Sequence, residues 1–216
     1  DLEIIATGAM SPLNGFMVAD DYNGVCDNMH LANGVAWPLP VVLSAKDGES
    51  AAAGDEVALV GEDGSVYGVM TVSDAYQPDK AAELTKCYQG DAEHPASDYL
   101  NSIGDTYVGG SIEVANLPTY EKHNEFRLTP AMTRAAFAEK GWDKIVAFQT
   151  RNPIHRAHEY LTKVAIEQVD GLLIHPLVGD TKADDIPSDV RMACYHALMA
   201  KYYPLDRTML AVYPQA

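Results

Sequence analysis

Apolar and polar positions follow two different rhythms along the 216 residues. Up to about Arg127 the apolar runs are short and β-rich, at Val41 to Ser44, Glu56 to Val60 and Val66 to Val72. Turn-forming Lys46-Asp47-Gly48, Gly54-Asp55 and Glu62-Asp63-Gly64 separate them. Such spacing predicts a small barrel-like β domain, with a helical insert at Lys80 to Cys87. From Leu117 to Arg127 the chain is polar and aperiodic, and the period then changes. Thr129 followed by Pro130 predicts a helix through Lys140 that stops at Gly141. Ile145 to Phe148 reads as a buried strand, Leu172 to Val178 as a second, and Leu210 to Val212 as a third, with a helix over Asp189 to Tyr203. Strands alternating with helices predict a parallel α/β sheet. The expected domains are 1–127, β-rich, and 128–216, α/β.

The strand at Ile145 runs straight into Gln149-Thr150-Arg151-Asn152-Pro153-Ile154-His155-Arg156-Ala157-His158-Glu159. Asn152 can cap a helix and Pro153 can open it without needing a donor, so the helix is expected to start there. A strand feeding a helix N-terminus collects donors and the positive end of the helix dipole, which favour an oxyanion. Arg151 adds a fork of donors suited to sulfate or phosphate. His155 and His158 stand three apart on the expected first turn and share a face, while Gln149 and Thr150 offer neutral polar groups. Taken alone, the pattern supports a site and an ordinary surface equally. Metal binding is the weaker reading of His-x-x-His, because zincin pairs are spaced i, i+4 with an intervening Glu.

Charge sharpens the division. Residues 1–128 carry 21 acidic against 5 basic side chains, and residues 129–216 carry 10 of each. The first part repels nucleic acid and the second can host an anion. Cys26, Cys87 and Cys194 form no C-x-x-C and are read as buried free thiols in a reducing compartment. No run approaches the ~18 to 20 apolar residues of a membrane helix, and the start D-L-E has no signal-peptide character, so a soluble cytoplasmic protein is expected, with no membrane partner.

Other polar residues read as structural. His94-Pro95 and Ser11 to Phe16 look like turn landmarks, with positive φ expected at Asn14-Gly15. Asp180, Lys182, Asp184, Asp185 and Arg191 follow the second strand, and Lys182 can either approach phosphate oxygens or pair with a nearby Asp, the pairing being the stronger reading. Met192, Tyr195, His196 and Met199 sit at helical spacing and read as core.

The string Q-T-R-N-P-I-H-R-A-H-E at 149–159 resembles the signature of the ATP sulfurylase family. The likeness continues through H-P-L-V-G-D-T-K at 175–182, R-L-T-P-A-M-T-R-A-A-F at 127–137 and G-A-M-S-P-L-N-G-F-M at 8–17, although Met10 stands where the family usually has an aromatic residue. The resemblance implies a mixed α/β chain: an N-terminal PUA-like β-barrel domain, then the first part of a Rossmann-like parallel α/β nucleotidyltransferase domain. It implies sulfate adenylyltransfer, in which ATP and sulfate give adenosine 5′-phosphosulfate and pyrophosphate. Gln149 and Arg151 match sulfate ligands. Thr150 and Asn152 match positions orienting the reacting groups, and His155 and His158 match residues facing the phosphates; all six belong to the implied ATP site. Mg²⁺ is expected to travel with ATP, no protein-bound metal is expected, and a homo-oligomer is. The family's M-R-Y-A-G-P-R-E-A and G-R-D-H-A-G segments do not occur in these residues, so a longer native chain is expected. The rival readings are a non-catalytic PUA-like module holding RNA or a protein partner, disfavoured by its few basic residues, and another His-x-x-His adenylyltransferase.

Overall fold

The computed structural model describes residues 1–46, 49–178 and 186–213. The turn at Asp47-Gly48 and the residues Asp180, Lys182, Asp184 and Asp185 lie outside the described residues. The chain divides into two compact units, Asp1–Pro118 and Thr119–Ala216.

In the first unit α1 (Leu2–Ala6), β1 (Gly15–Phe16) and α2 (Ala19–Asn28) lead to β2 (Glu56–Val60) and β3 (Val66–Tyr76). After these come α3 (Lys80–Tyr88), α4 (Pro95–Ser102) and β4 (Tyr107–Val114). The strands form one antiparallel sheet in the order β1-β4-β3-β2, whose end strands β1 and β2 do not pair with each other. β2 and β3 lie where the alternation predicts them, and Gly68, Met70 and Val72 of β3 point inward in turn. The register slips between Val72 and Asp74, and the Asp74 carboxylate accepts a hydrogen bond from the Ala19 N–H at the start of α2 (3.1 Å). A bulge here places a capping group on a neighbouring element. Under the sheet the rings of Tyr22, Tyr76 and Tyr107 form a triangle with centroids 5.6 to 5.9 Å apart. The Tyr22 hydroxyl donates to buried Glu83 (2.9 Å) and the Tyr76 hydroxyl to the Met17 carbonyl (3.0 Å).

Two expectations for this unit are corrected. Val41 to Ser44 is not a strand: the Val41 carbonyl accepts from Met17, the Leu43 carbonyl accepts from Val108, and Ser44 makes one isolated bridge to Tyr107. β4 already pairs with β3 and β1, so this segment finds only single bonds. Gly15 does not adopt positive φ. It lies in β1, where a Cβ would sit 1.9 Å from the Gly110 carbonyl oxygen, so close backbone approach is what requires glycine.

The second unit contains α5 (Pro130–Glu139), β5 (Ile145–Thr150), α6 (Arg156–Ile166), β6 (Gly171–Pro176), α7 (Ser188–Tyr202) and β7 (Thr208–Leu210). The sheet order is β5-β6-β7, all parallel, as the alternation predicts. Thr129 caps α5, its hydroxyl accepting from the Met132 N–H, and Gly141 takes φ +69° just past the end. Leu172 and Ile174 of β6 pack with Ile166 of α6 and with Met192, Tyr195 and Met199 of α7. This supports the core reading of the α7 residues apart from His196, which is exposed and lies against Phe126 (5.0 Å). At the sheet's amino end, Arg207 donates to the carbonyls of Ile166 and Val169 (both 2.5 Å) and of Asp170 (3.2 Å). The Asp170 carboxylate there accepts from the N–H groups of Asp143 and Lys144.

The reading of Ile145 to Phe148 as a buried strand is corrected. β5 is the edge of the described sheet, with Ala147 and Gln149 exposed and only Thr150 buried. The thiols also differ: Cys26 and Cys87 are half-buried and Cys194 is exposed on α7.

Candidate active site at the carboxyl end of β5

The chain leaves β5 at Thr150, and the next turn is fixed from two sides. The Thr150 hydroxyl accepts from the Asn152 N–H (3.0 Å) and donates to the Asn152 carbonyl (3.2 Å). The Tyr195 hydroxyl, reaching from α7, donates to that same carbonyl (2.7 Å). With both backbone groups of Asn152 occupied, the helix does not begin there. Pro153 to His155 run on without regular structure, and α6 starts at Arg156 with His155 as its cap. The expected start at Asn152-Pro153 is therefore three residues too early.

His155 Nδ1 accepts the Ala157 N–H (3.2 Å). Accepting there fixes the tautomer, since Nδ1 carries no proton and Nε2 is the N–H free to donate outward. The His158 ring stacks on that of His155 with centroids 3.8 Å apart and a 29° tilt, and packs on Phe148 of β5 at 5.4 Å. His158 Nδ1 is buried and meets no hydrogen-bond partner among the described residues. The two imidazoles thus share a face, as their spacing predicts, although His155 is the cap and not part of the first turn.

Gln149 is exposed at the end of β5, Arg151 is half-buried and Asn152 is exposed. The structure brings the six sequence-predicted residues to one strand-to-helix junction. It separates their tasks, since Thr150 spends its hydroxyl on the turn while Gln149 and the histidines face outward or stack. A groove of about 580 Å³ lies along the outer side of α6 and α7. His155 is the only one of the six lining it, with Glu159, Lys163 and Tyr202, and Lys163 pairs with Glu159 (2.5 Å).

Three contributors escape the sequence reading. Tyr195 reads as core by its spacing, and only its polar tip hints at the bond to Asn152. His175 of β6 pairs in register with Gln149, and burial holds its imidazole below the ordinary histidine range. Arg191, placed by sequence on a loop, is a fully buried residue of α7 that donates to the carbonyls of Ile186 (2.8 Å) and Leu177 (2.5 Å). It therefore braces the ends of the connection between β6 and α7.

Comparison with known proteins adds the following. A family described as PUA-like domain matches residues 1–117, and one described as ATP-sulfurylase matches residues 124–216. The chain is 48% identical over 219 residues to a sulfate adenylyltransferase of Symbiobacterium thermophilum, an alignment covering all of this chain and 56% of that protein. It is 49% identical to a probable bifunctional SAT/APS kinase 2 of Sorangium cellulosum, again over all of this chain and 38% of the relative. Among solved structures, a hexameric APS kinase from Thiobacillus denitrificans superposes with a TM-score of 0.74 at 28% identity, covering 99% of this chain and 39% of that one. The chain spans about half the length of the sulfate adenylyltransferases it matches.

Proposed function

The chain belongs to the ATP sulfurylase family, and from that membership we propose that the protein is a sulfate adenylyltransferase joining sulfate to the adenylyl group of ATP. One oxygen of sulfate attacks the α-phosphorus in line, an S–O–P bond forms, the bond to the β-phosphate oxygen breaks, and pyrophosphate leaves. No enzyme-bound covalent intermediate is required. Sulfate is a weak nucleophile and repels the polyphosphate, so catalysis rests on holding two anions together and stabilising charge on the transferring group.

The observation that carries this reading is the stacked pair His155 and His158 at the start of α6, directly after Gln149 and Arg151. In this reading the Arg151 fork and the Gln149 amide hold sulfate. The Nε2 proton of His155 and the His158 ring face the phosphates, and the helix N-terminus adds its dipole. Asn152 orients the nucleotide, and Thr150 positions the turn. Mg²⁺ is not a good match for these residues as a held ion: they provide amide and hydroxyl oxygens and two imidazoles but no carboxylate, whereas a hard cation prefers anionic oxygens. Mg²⁺ therefore enters as part of its ATP complex, bound by phosphate oxygens and water. The same reading takes the antiparallel sheet as part of a PUA-like barrel and the parallel sheet as part of a Rossmann-like domain. It also takes the protein as cytoplasmic and homo-oligomeric, the latter supported by the hexameric state of the related kinase.

The test is Arg151→Lys in the full-length enzyme, which keeps the charge and loses the fork. Sulfate-dependent pyrophosphate release should fall steeply, about 100-fold or more, while ATP binding persists. Unchanged kinetics would remove Arg151 from the site.

A further inference from the structure

The second observation of chemical interest lies in the first unit. Cys26 of α2 and Cys87 of α3 are 61 residues apart in sequence, yet their sulfurs lie 3.9 Å apart and share a thiol hydrogen bond. Contacts on both sides hold them facing. One helical turn earlier on both helices, the Tyr22 hydroxyl donates to the buried Glu83 carboxylate (2.9 Å). Beside the sulfurs, Lys86 pairs with Asp27 (2.5 Å). The pairs 22 with 83 and 26 with 87 advance together by four residues, so the two helices run side by side in the same direction here, with the sulfurs in the seam.

We propose that Cys26 and Cys87 form a dithiol that closes to an intramolecular disulfide by exchange with a low-molecular-weight disulfide, cross-linking α2 to α3. Cys87 is the attacking thiol. Burial, with Glu83 nearby, raises its thiol above the ordinary range, while the contact with Cys26 and its sequence neighbour Lys86 work the other way. Cys26 is the resolving thiol, since burial and the adjoining Cys87 push it up to about 12. In the first step the Cys87 thiolate attacks one sulfur of the small disulfide, its S–S bond breaks, and a small thiolate leaves and takes up a proton. In the second, Cys26 loses its proton to solvent and attacks the Cys87 sulfur, and the second small thiol leaves. The dithiol is oxidised by two electrons, and one small disulfide is reduced to two thiols. The second step is favoured because Cys26 is already in contact with the sulfur it must attack.

The experiment uses the full chain carrying Cys194→Ser, which removes the exposed third thiol. The reduced protein is treated with oxidised glutathione, quenched by alkylation, and read by intact mass and peptide mapping. The expected product is a monomer two hydrogens lighter, with the Cys26 and Cys87 peptides joined and separated again by reductant. Adding Cys26→Ser should trap glutathione on Cys87. The proposal is overturned if glutathione persists on the Cys194→Ser protein, if the disulfide joins two molecules, or if the Cys26→Ser variant carries no adduct. It is equally overturned if both thiols stay free under conditions that modify Cys194 in the unsubstituted chain.

Discussion

The two units use the same local device for opposite ends. His94 caps α4 by accepting the Ala96 N–H at Nδ1 (3.1 Å), and His155 caps α6 by accepting the Ala157 N–H at Nδ1 (3.2 Å). Up to that point the two histidines are interchangeable. Their surroundings differ: the His94 ring lies against Tyr88 (5.1 Å), whereas the His155 ring stacks on a second imidazole (3.8 Å). A histidine at a helix start is therefore a cap first, and becomes part of a site only through what stands beside it.

The largest break in that comparison should come from His158, which caps nothing. His158→Ala in the full-length enzyme is expected to lower kcat by about 2 to 4 kcal/mol of transition-state stabilisation with little change in ATP binding. Single-turnover and equilibrium binding measurements together check this, and an effect confined to ATP binding would move His158 to a ground-state role. The matched pair His94→Ala and His155→Ala comes next. Each should cost about 1 kcal/mol of stability through the lost cap, read by denaturant unfolding, but only His155→Ala should also lower kcat. A comparable loss of activity in His94→Ala would erase the distinction between the caps.

The smallest effect concerns the carboxylate that the first unit buries. Glu83 is 3% exposed, and burial pushes its carboxyl above the ordinary range while the Tyr22 hydrogen bond works in the opposite direction. Because the folded value is raised, Glu83 favours folding most below its unfolded value, and this contribution is lost as pH rises through the folded value. Glu83→Gln keeps an acceptor for Tyr22 without the charge. It should raise stability at neutral pH by up to about 1 kcal/mol and flatten the pH dependence just above the normal carboxylate range, measured by unfolding at several pH values.

What could be read from sequence, and what could not, follows the same line between local and distant causes. Thr129-Pro130 and Asn152-Pro153 carry equivalent helix-start chemistry, yet only the first begins a helix. At Thr129 the hydroxyl is free to cap Met132, whereas at Asn152 the carbonyl is claimed by Tyr195, 43 residues away. β2, β3, α3, α5 and the parallel alternation were legible because turn residues and periodicity act within a few positions. The edge position of β5 was not, because an apolar run carries no record of its neighbours in the sheet. The His-x-x-His face was legible from spacing alone, but the bracing by Tyr195 and Arg191 and the meeting of Cys26 with Cys87 depend on distant parts of the chain coming together.

The grip of Arg207 on the Ile166 carbonyl at the end of α6, and on that of Val169 just beyond it, has a mechanical consequence. It pins the helix at the end opposite the histidines, so any tilt of α6 turns about that base. The helix has 11 residues, and at about 1.5 Å per residue its arm is roughly 16 Å long. A tilt of about 4° would then carry the imidazole end by about 1 Å, a displacement large enough to change reactivity substantially. Arg207, at the end of α6 opposite the histidines, thus sets the pivot about which the imidazole pair would swing.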